Sequence, residues 1–375
     1  MKINQKGAFM ALYAFDGTGD NWDTAPKRGE SIETQTKAFE QVKLQEPLAN
    51  DRFATNVVLF AKEYNQAKVG RVEYFPGVGS GTRVDRSLRR SADFIFGGAF
   101  GWGAKAILQE AEEALRNNVA NGDSIIDIIA YSRGAAIARI FVDKISADPT
   151  KYGFTQPPKI RFLGLFDTVA SFGNPLGDRE LLPDLLFQES LPDNVENAFH
   201  AMSRDLHRIG FGLDRAYGKN LLEVWFRGGH GDIGGNSKIR QRAGSKKTSQ
   251  QSKKYKANRE RTNITLKFML RKAIAVGIKL SEPEHATDSK SPVVFDRAVT
   301  LNPLDFGESG ADPSRQHTNT DIFHYTFFDE KNQQIGAEDV PYNLRYETAI
   351  IEDEVSEGKN YRLEIKKLFL PPESA

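Results

Sequence analysis

Ala130-Tyr131-Ser132-Arg133-Gly134 sets a hydroxyl among small residues where two sequence periods meet. Upstream, IIDIIAY (125 to 131) is a near-continuous apolar run of strand length. Downstream, Ile137, Phe141 and Ile145 recur at the spacing of one helix face. A serine in such a strand-to-helix corner can attack an ester. Its hydroxyl stands at the strand's end, and the following helix N-terminus offers an amide and a favourable dipole to the negative tetrahedral intermediate. The stretch departs from G-x-S-x-G only in its first small residue, alanine for glycine. Ser132 also suits a helix N-cap, and on the pentapeptide alone the two readings stand level. The preceding strand and the absence of cysteine favour the nucleophile.

Such a serine needs an imidazole as base and a carboxylate to orient it. Of six histidines, His230 lies in VWFRGGHGDIGG, directly after a predicted strand and inside a glycine-rich turn, where a parallel α/β fold places its chemistry. His324 in DIFHYTFF reads either as a packed histidine or as a late base. His200 and His207 fall in a stretch with helical spacing and read as supporting or structural; His285 and His317 sit in polar sequence with no pattern around them. Asp167 terminates the apolar strand RFLGLFD, a costly place for a carboxylate unless it is paired. Ser132, Asp167 and His230 come from successive strand ends, which favours that set over the alternative of Asp232 with His324.

AFDGTGDNWD (14 to 23) has the glycines of a tight turn with outward-facing amides, and its spacing is not that of a dinucleotide fingerprint. Gly17 and Thr18, with the amide of Arg133, are the candidate oxyanion donors. Asp16, at the end of the first strand, is placed to fix that loop. A plain turn whose Asp and Asn side chains bond their own backbone is an equal reading of the loop.

These residues require a frame of parallel strands ending on one rim. Strand-like FMALYAF (9 to 15), RVEYFPG (71 to 77), IIDIIAY, IRFLGLFDTVA (from 160) and LLEVWFRGG (to 229) alternate with helical stretches at 34 to 44, from 103, and after Ser132. A further helix is predicted around VENAFHAMSRDLHRI, and another, TNITLKFMLRKAIAVGI, from Thr262. That order implies an α/β fold, a mostly parallel sheet with helices on both faces. Residues 1 to 275 read as the catalytic domain; residues 276 to 375, with PVVFDRAV, DIFHYTFFDE and YRLEIKKLFL, complete or cover it. Within the first part, 238 to 261 carries ten basic residues and a single Glu with almost nothing apolar, and reads as a mobile surface loop.

The chain of 375 residues is long enough to bury a large core. The absence of Cys excludes thiol nucleophiles, thiolate metal sites and disulfides. With 51 Lys plus Arg against 50 Asp plus Glu, the net charge of +1 gives no global footprint for nucleic acid. The amino terminus has too short an apolar run for a signal peptide, and no stretch reaches the roughly 18 apolar residues of a membrane span. The expectation is a protein cytoplasmic as synthesised, needing neither metal nor organic cofactor. The basic tract is a candidate for peripheral contact with an anionic membrane.

Seven segments in order resemble one family, DUF2235, whose members include Tle1-type phospholipase effectors of bacterial type VI secretion. They are FDGTGDNW (15 to 22), YFPGVGSG (74 to 81), GGAFGWGAKAIL (97 to 108), AYSRGAAIARIF (130 to 141), LGLFDTVASFG (163 to 173), AFHAMSRD (198 to 205) and VWFRGGHGDIGG (224 to 235). The resemblance spans roughly residues 8 to 275. It implies an α/β-hydrolase fold and a Ser-Asp-His triad on carboxylic esters, in characterised members the acyl chains of glycerophospholipids. Its serine matches Ser132, its aspartate Asp167 and its histidine His230. It also implies secretion-system or immunity partners and delivery to a target cell. Two departures stand out: Ala130-Tyr131 replaces the family's Gly-Phe, and Asn236 with the basic tract follows the histidine turn where the family has glycine and tyrosine. They motivate the alternative of a catalytically idle hydrolase scaffold serving as a binding module.

Overall fold

The computed structural model describes residues 9–20, 22, 25, 30–43, 53–79, 99–170, 188–203, 212–226, 228–235, 249–281, 322–324 and 350–352. Six strands form the central sheet: β1 (Phe9–Phe15), β2 (Arg71–Phe75), β3 (Asp123–Tyr131), β4 (Lys159–Phe166), β5 (Ala198–Ser203) and β6 (Leu221–Phe226). Two short strands, β7 (Ile322–His324) and β8 (Ile350–Glu352), extend it at one edge, giving the order β2-β1-β3-β4-β5-β6-β7-β8. Every pairing is parallel.

Side chains alternate across a strand, so the near-continuous apolar runs feed two cores at once. Ala11, Tyr13, Phe15, Ile126, Ile128 and Ala130 pack with helices α3 (Ala99–Ala120) and α4 (Arg133–Ala147) on one face. Leu12, Ala14, Ile129, Tyr131, Phe162 and Phe166 pack on the other with α1 (Ile32–Glu40), α2 (Asn56–Gln66) and α6 (Ser249–Ala275). Asp127, in the middle of β3, is fully buried; it accepts from Tyr64 Oη at 2.8 Å and from the Arg161 guanidinium, which compensates its burial.

Three sequence-based expectations change. The predicted helix around 195 to 209 contains β5 instead. Six consecutive buried residues between β4 and β6 are a central strand, and a short apolar run with spaced polar residues does not distinguish the two periods. His200 therefore lies on a strand; His207 is outside the described residues. The basic tract is not loop throughout, because α6 begins at Ser249, thirteen residues before the predicted start. Its Gln, Lys, Ala, Arg and Glu residues are good helix formers without a Pro or Gly, so they extend the helix whose end packs through Ile264, Leu266, Phe268 and Met269. Helix α2 was not anticipated. Thr55 caps it, its hydroxyl accepting from Val58 N, and eight of its eleven residues are buried, which leaves little amphipathic contrast to read. PVVFDRAV and YRLEIKKLFL lie outside the described residues. No helix among those described is long and apolar enough to cross a membrane.

Candidate active site

Because the strands run parallel and in near register, their carboxyl ends share one rim. Phe15 pairs with Ala130, Tyr131 with Phe166, Phe166 with Ala201 and Ser203 with Phe226. The residues that follow β1, β3, β4 and β6 are Asp16, Ser132, Asp167 and, four positions beyond Phe226, His230.

Ser132 turns the chain from β3 into α4 with φ 58° and ψ −128°, a conformation that costs a non-glycine residue free energy. The turn is held by its own backbone: Ser132 N donates to Phe166 O at 3.0 Å, and Ser132 O accepts from Ala135 N at 3.0 Å. Its side chain makes no capping bond to α4. The hydroxyl instead lies 2.8 Å from His230 Nε2, and the serine is 2 % exposed. The cap reading of Ser132 does not describe this geometry.

Asp167 leaves β4 with φ 42°, a second left-handed non-glycine residue at the rim. It has no solvent exposure. Oδ1 accepts from Ser203 N at 2.7 Å and Oδ2 faces His230 Nδ1 at 2.6 Å, so both carboxylate oxygens are engaged. That satisfies the condition under which an acid can end a buried strand.

His230 opens α5 (His230–Gly234), a single turn closed by Asp232, whose Oδ2 accepts from Gly229 N at 2.9 Å. Asp232 is thus engaged in the histidine turn. His324 ends β7, and its side chain is outside the described ones. The imidazole of His230 is clamped by Tyr131: the rings sit 4.7 Å apart at 34°, and the phenol donates to His230 O at 3.0 Å. Burial, followed by the charges of Asp20, Asp167, Asp16 and Asp232, pushes the Tyr131 phenol well above its usual range, so it remains a donor. Glycines on both sides make room for the ring; a Cβ at Gly17 would stand 2.4 Å from it and one at Gly234 2.0 Å. The sequence marked Tyr131 as a departure but did not reveal this contact. Gly17, in the loop after β1, and Gly234, at the end of α5, are far apart in the chain.

The first loop is tied down from several sides. Asp16 accepts from Tyr74 Oη at 2.6 Å and from Gly17 N at 2.8 Å, and Gly77 N donates to Asp20 O at 3.0 Å. Gly17's amide is therefore directed at a carboxylate, not at an incoming oxyanion. Arg133 Nη1 donates to Thr18 Oγ1 at 3.1 Å, joining the loop to the start of α4. Thr18 and Arg133 remain the candidate backbone donors. Ser203, whose amide holds Asp167 and whose hydroxyl donates to Gly228 O at 2.8 Å, was not singled out from sequence; only the strand assignment of AFHAMS could have found it.

A model of the family described as T6SS, phospholipase effector Tle1-like, catalytic domain matches residues 13–147 and 141–272. Among solved structures, one described as the crystal structure of an uncharacterized protein from Pseudomonas aeruginosa is similar at 20% identity and a TM-score of 0.40, covering 74% of this chain. The aligned region is 47% of that longer chain, about half its length. No curated protein matches. With the family model spanning well over half of its residues, this chain belongs to the Tle1-like phospholipase effector catalytic domains of type VI secretion.

Proposed function

We propose that the protein is a serine carboxylic-ester hydrolase that releases fatty acid from glycerophospholipids. The observation carrying this reading is the continuous chain Ser132 Oγ, His230 Nε2, His230 Nδ1, Asp167 Oδ2, with links of 2.8 and 2.6 Å. His230 takes the Ser132 proton as the hydroxyl attacks the ester carbonyl. Asp167 keeps the other ring nitrogen protonated and stabilises the imidazolium that forms. The amides of Thr18 and Arg133 receive the oxyanion, aided by the N-terminal end of the fifteen-residue α4. His230 then gives its proton to the departing alcohol and activates water to cleave the acyl-enzyme.

Residues 1 to 275 form the catalytic unit in this reading, and 276 to 375 complete or cover it. The protein acts after delivery by the secretion apparatus, with an immunity protein as its partner in the producing cell. Given phosphatidylglycerol or phosphatidylethanolamine vesicles, it should liberate free fatty acid and lysophospholipid, and Ser132→Ala should lower that rate by about 10⁴-fold or more. Absence of fatty-acid release by the folded wild-type protein across an ester panel would instead support the idle-scaffold alternative.

The basic tract supplies peripheral attraction to anionic lipid in the same reading, at about 1 kcal/mol per charge close to the surface. Replacing residues 240 to 258 by a neutral linker should weaken co-sedimentation with anionic vesicles at low salt and leave binding to neutral vesicles unchanged. Equal sedimentation of both proteins with anionic vesicles removes this role.

A further inference from the structure

A fully buried histidine that the proposed reaction does not use lies directly behind Asp167. His200, on β5, places Nε2 3.2 Å from the backbone N of Thr168 and 3.1 Å from Thr168 Oγ1, and Nδ1 2.9 Å from Glu223 Oε1 on β6. A backbone N–H can only donate. Nε2 must therefore carry a lone pair, and the ring proton sits on Nδ1, donated to Glu223. Glu223 is itself fixed: Oε2 accepts from Arg215 Nε at 2.7 Å, and Oε1 also accepts from Ala216 N at 3.1 Å. Burial pushes its carboxyl up, but the hydrogen bonds from His200 and Arg215 and the charge of Arg215 outweigh that and hold it below the usual range.

Thr168 is the residue after Asp167, whose left-handed φ persists only where the surroundings impose it. The direction of the Thr168 N–H is set by the Asp167 backbone, so bonding that N–H to a rigid ring constrains how Asp167 leaves the sheet. The far side of the turn is held as well, with Asp214 N donating to Thr168 O at 3.0 Å and Ala170 N to Asp214 Oδ2 at 2.6 Å. Arg139 on α4 braces that segment by donating to the Asp214 and Arg215 carbonyls.

We propose that His200 is a positioning residue: in its neutral Nδ1–H form it holds, through the Thr168 amide, the turn that presents the Asp167 carboxylate to His230. This rests on the serine-hydrolase reading above. A second proton on the ring would place N–H against N–H. The new donor's alternative acceptor is Thr168 Oγ1, so proton uptake exchanges the amide for the hydroxyl and releases the peptide after Asp167. The charged groups packed around this node among the described residues are Glu223 and Arg215, then Asp214, Arg139 and Asp167. Support for Asp167 therefore belongs to the neutral ring, whose Nε2 lone pair accepts from the Thr168 amide.

The test follows the rate at which an alkyl fluorophosphonate modifies Ser132 at neutral pH, read by intact mass. Wild type, His200→Phe and His200→Gln are compared, with circular dichroism and thermal unfolding as checks on the fold. His200→Phe removes the acceptor for the Thr168 amide and should label about 10- to 100-fold more slowly. In His200→Gln the side-chain oxygen can take the place of Nε2, and most of the rate should return. A wild-type rate in folded His200→Phe, or a rate in folded His200→Gln as low as that of His200→Phe, overturns the proposal. If His200→Phe does not fold, the tautomer of the wild-type ring decides. Nitrogen-15 spectra of wild type at neutral pH should show His200 as the Nδ1–H tautomer. The opposite tautomer overturns the proposal whatever the activity, whereas a wild type that never labels sinks the hydrolase reading on which it depends.

Discussion

Asp167→Asn should lower kcat by about 10⁴-fold, roughly 5 kcal/mol of transition-state stabilisation, with substrate binding little changed. The size of the effect follows from Ser203. Its amide donates to Asp167 Oδ1 at 2.7 Å, so an asparagine keeps its oxygen there and turns its NH₂ toward His230 Nδ1. That nitrogen must then present its lone pair, and the ring proton moves to Nε2, which faces Ser132 Oγ at 2.8 Å. A protonated Nε2 cannot take the serine proton. The variant should fold normally, because the side chain keeps its shape and both contacts. Steady-state hydrolysis of a soluble chromogenic ester, with circular dichroism of the same samples, checks it. A loss of less than tenfold would mean that Asp167 does not set the tautomer of His230.

Gly134→Ala should cost about 2 to 3 kcal/mol of stability and, in the fraction that folds, reduce activity by about 100-fold. A Cβ at this position would stand 2.4 Å from Asp16 O and 2.6 Å from Phe15 O. Both are backbone atoms at the end of β1, which cannot swing aside as a flexible side chain would. Helix α4 must retreat from the sheet, and Ser132, one residue before it, moves with its N-terminus. Stability and activity are therefore expected to fall together. Urea unfolding monitored by tryptophan fluorescence, paired with ester hydrolysis, checks this. Unchanged stability would show that α4 does not bear on β1 at this point.

Much of this site is written in short local patterns. The strand IIDIIAY, the small residues around Ser132 and the acid ending RFLGLFD are each visible within ten residues, because a buried strand and its carboxyl-terminal turn leave a local signature. Strand order suggests that Ser132, Asp167 and His230 meet from successive strands; β5 in fact stands between those of Asp167 and His230, and the parallel register still brings the three strand ends to one rim. What stayed hidden depends on contacts between distant segments. AFHAMS, read as part of a helix, is a strand because β4 and β6 flank it, and with that misreading Ser203 was lost as a support of Asp167 and His200 was set on the wrong element. Gly17 fits an oxyanion donor by type; only the orientation of its amide toward Asp16 removes it. Helix α2 buries eight of its eleven residues, Asn56 and Asn65 among them, so polar and apolar positions do not divide into a solvent face and a core face.

The most direct measurement is covalent: react the intact protein with an alkyl fluorophosphonate, digest it, and map the adduct by mass spectrometry. One phosphonate per chain is expected, on Ser132, absent from Ser132→Ala and formed far more slowly in Asp167→Asn. An adduct on any other residue, or fatty-acid release by Ser132→Ala at the wild-type rate, would contradict the assignment of Ser132 as the nucleophile.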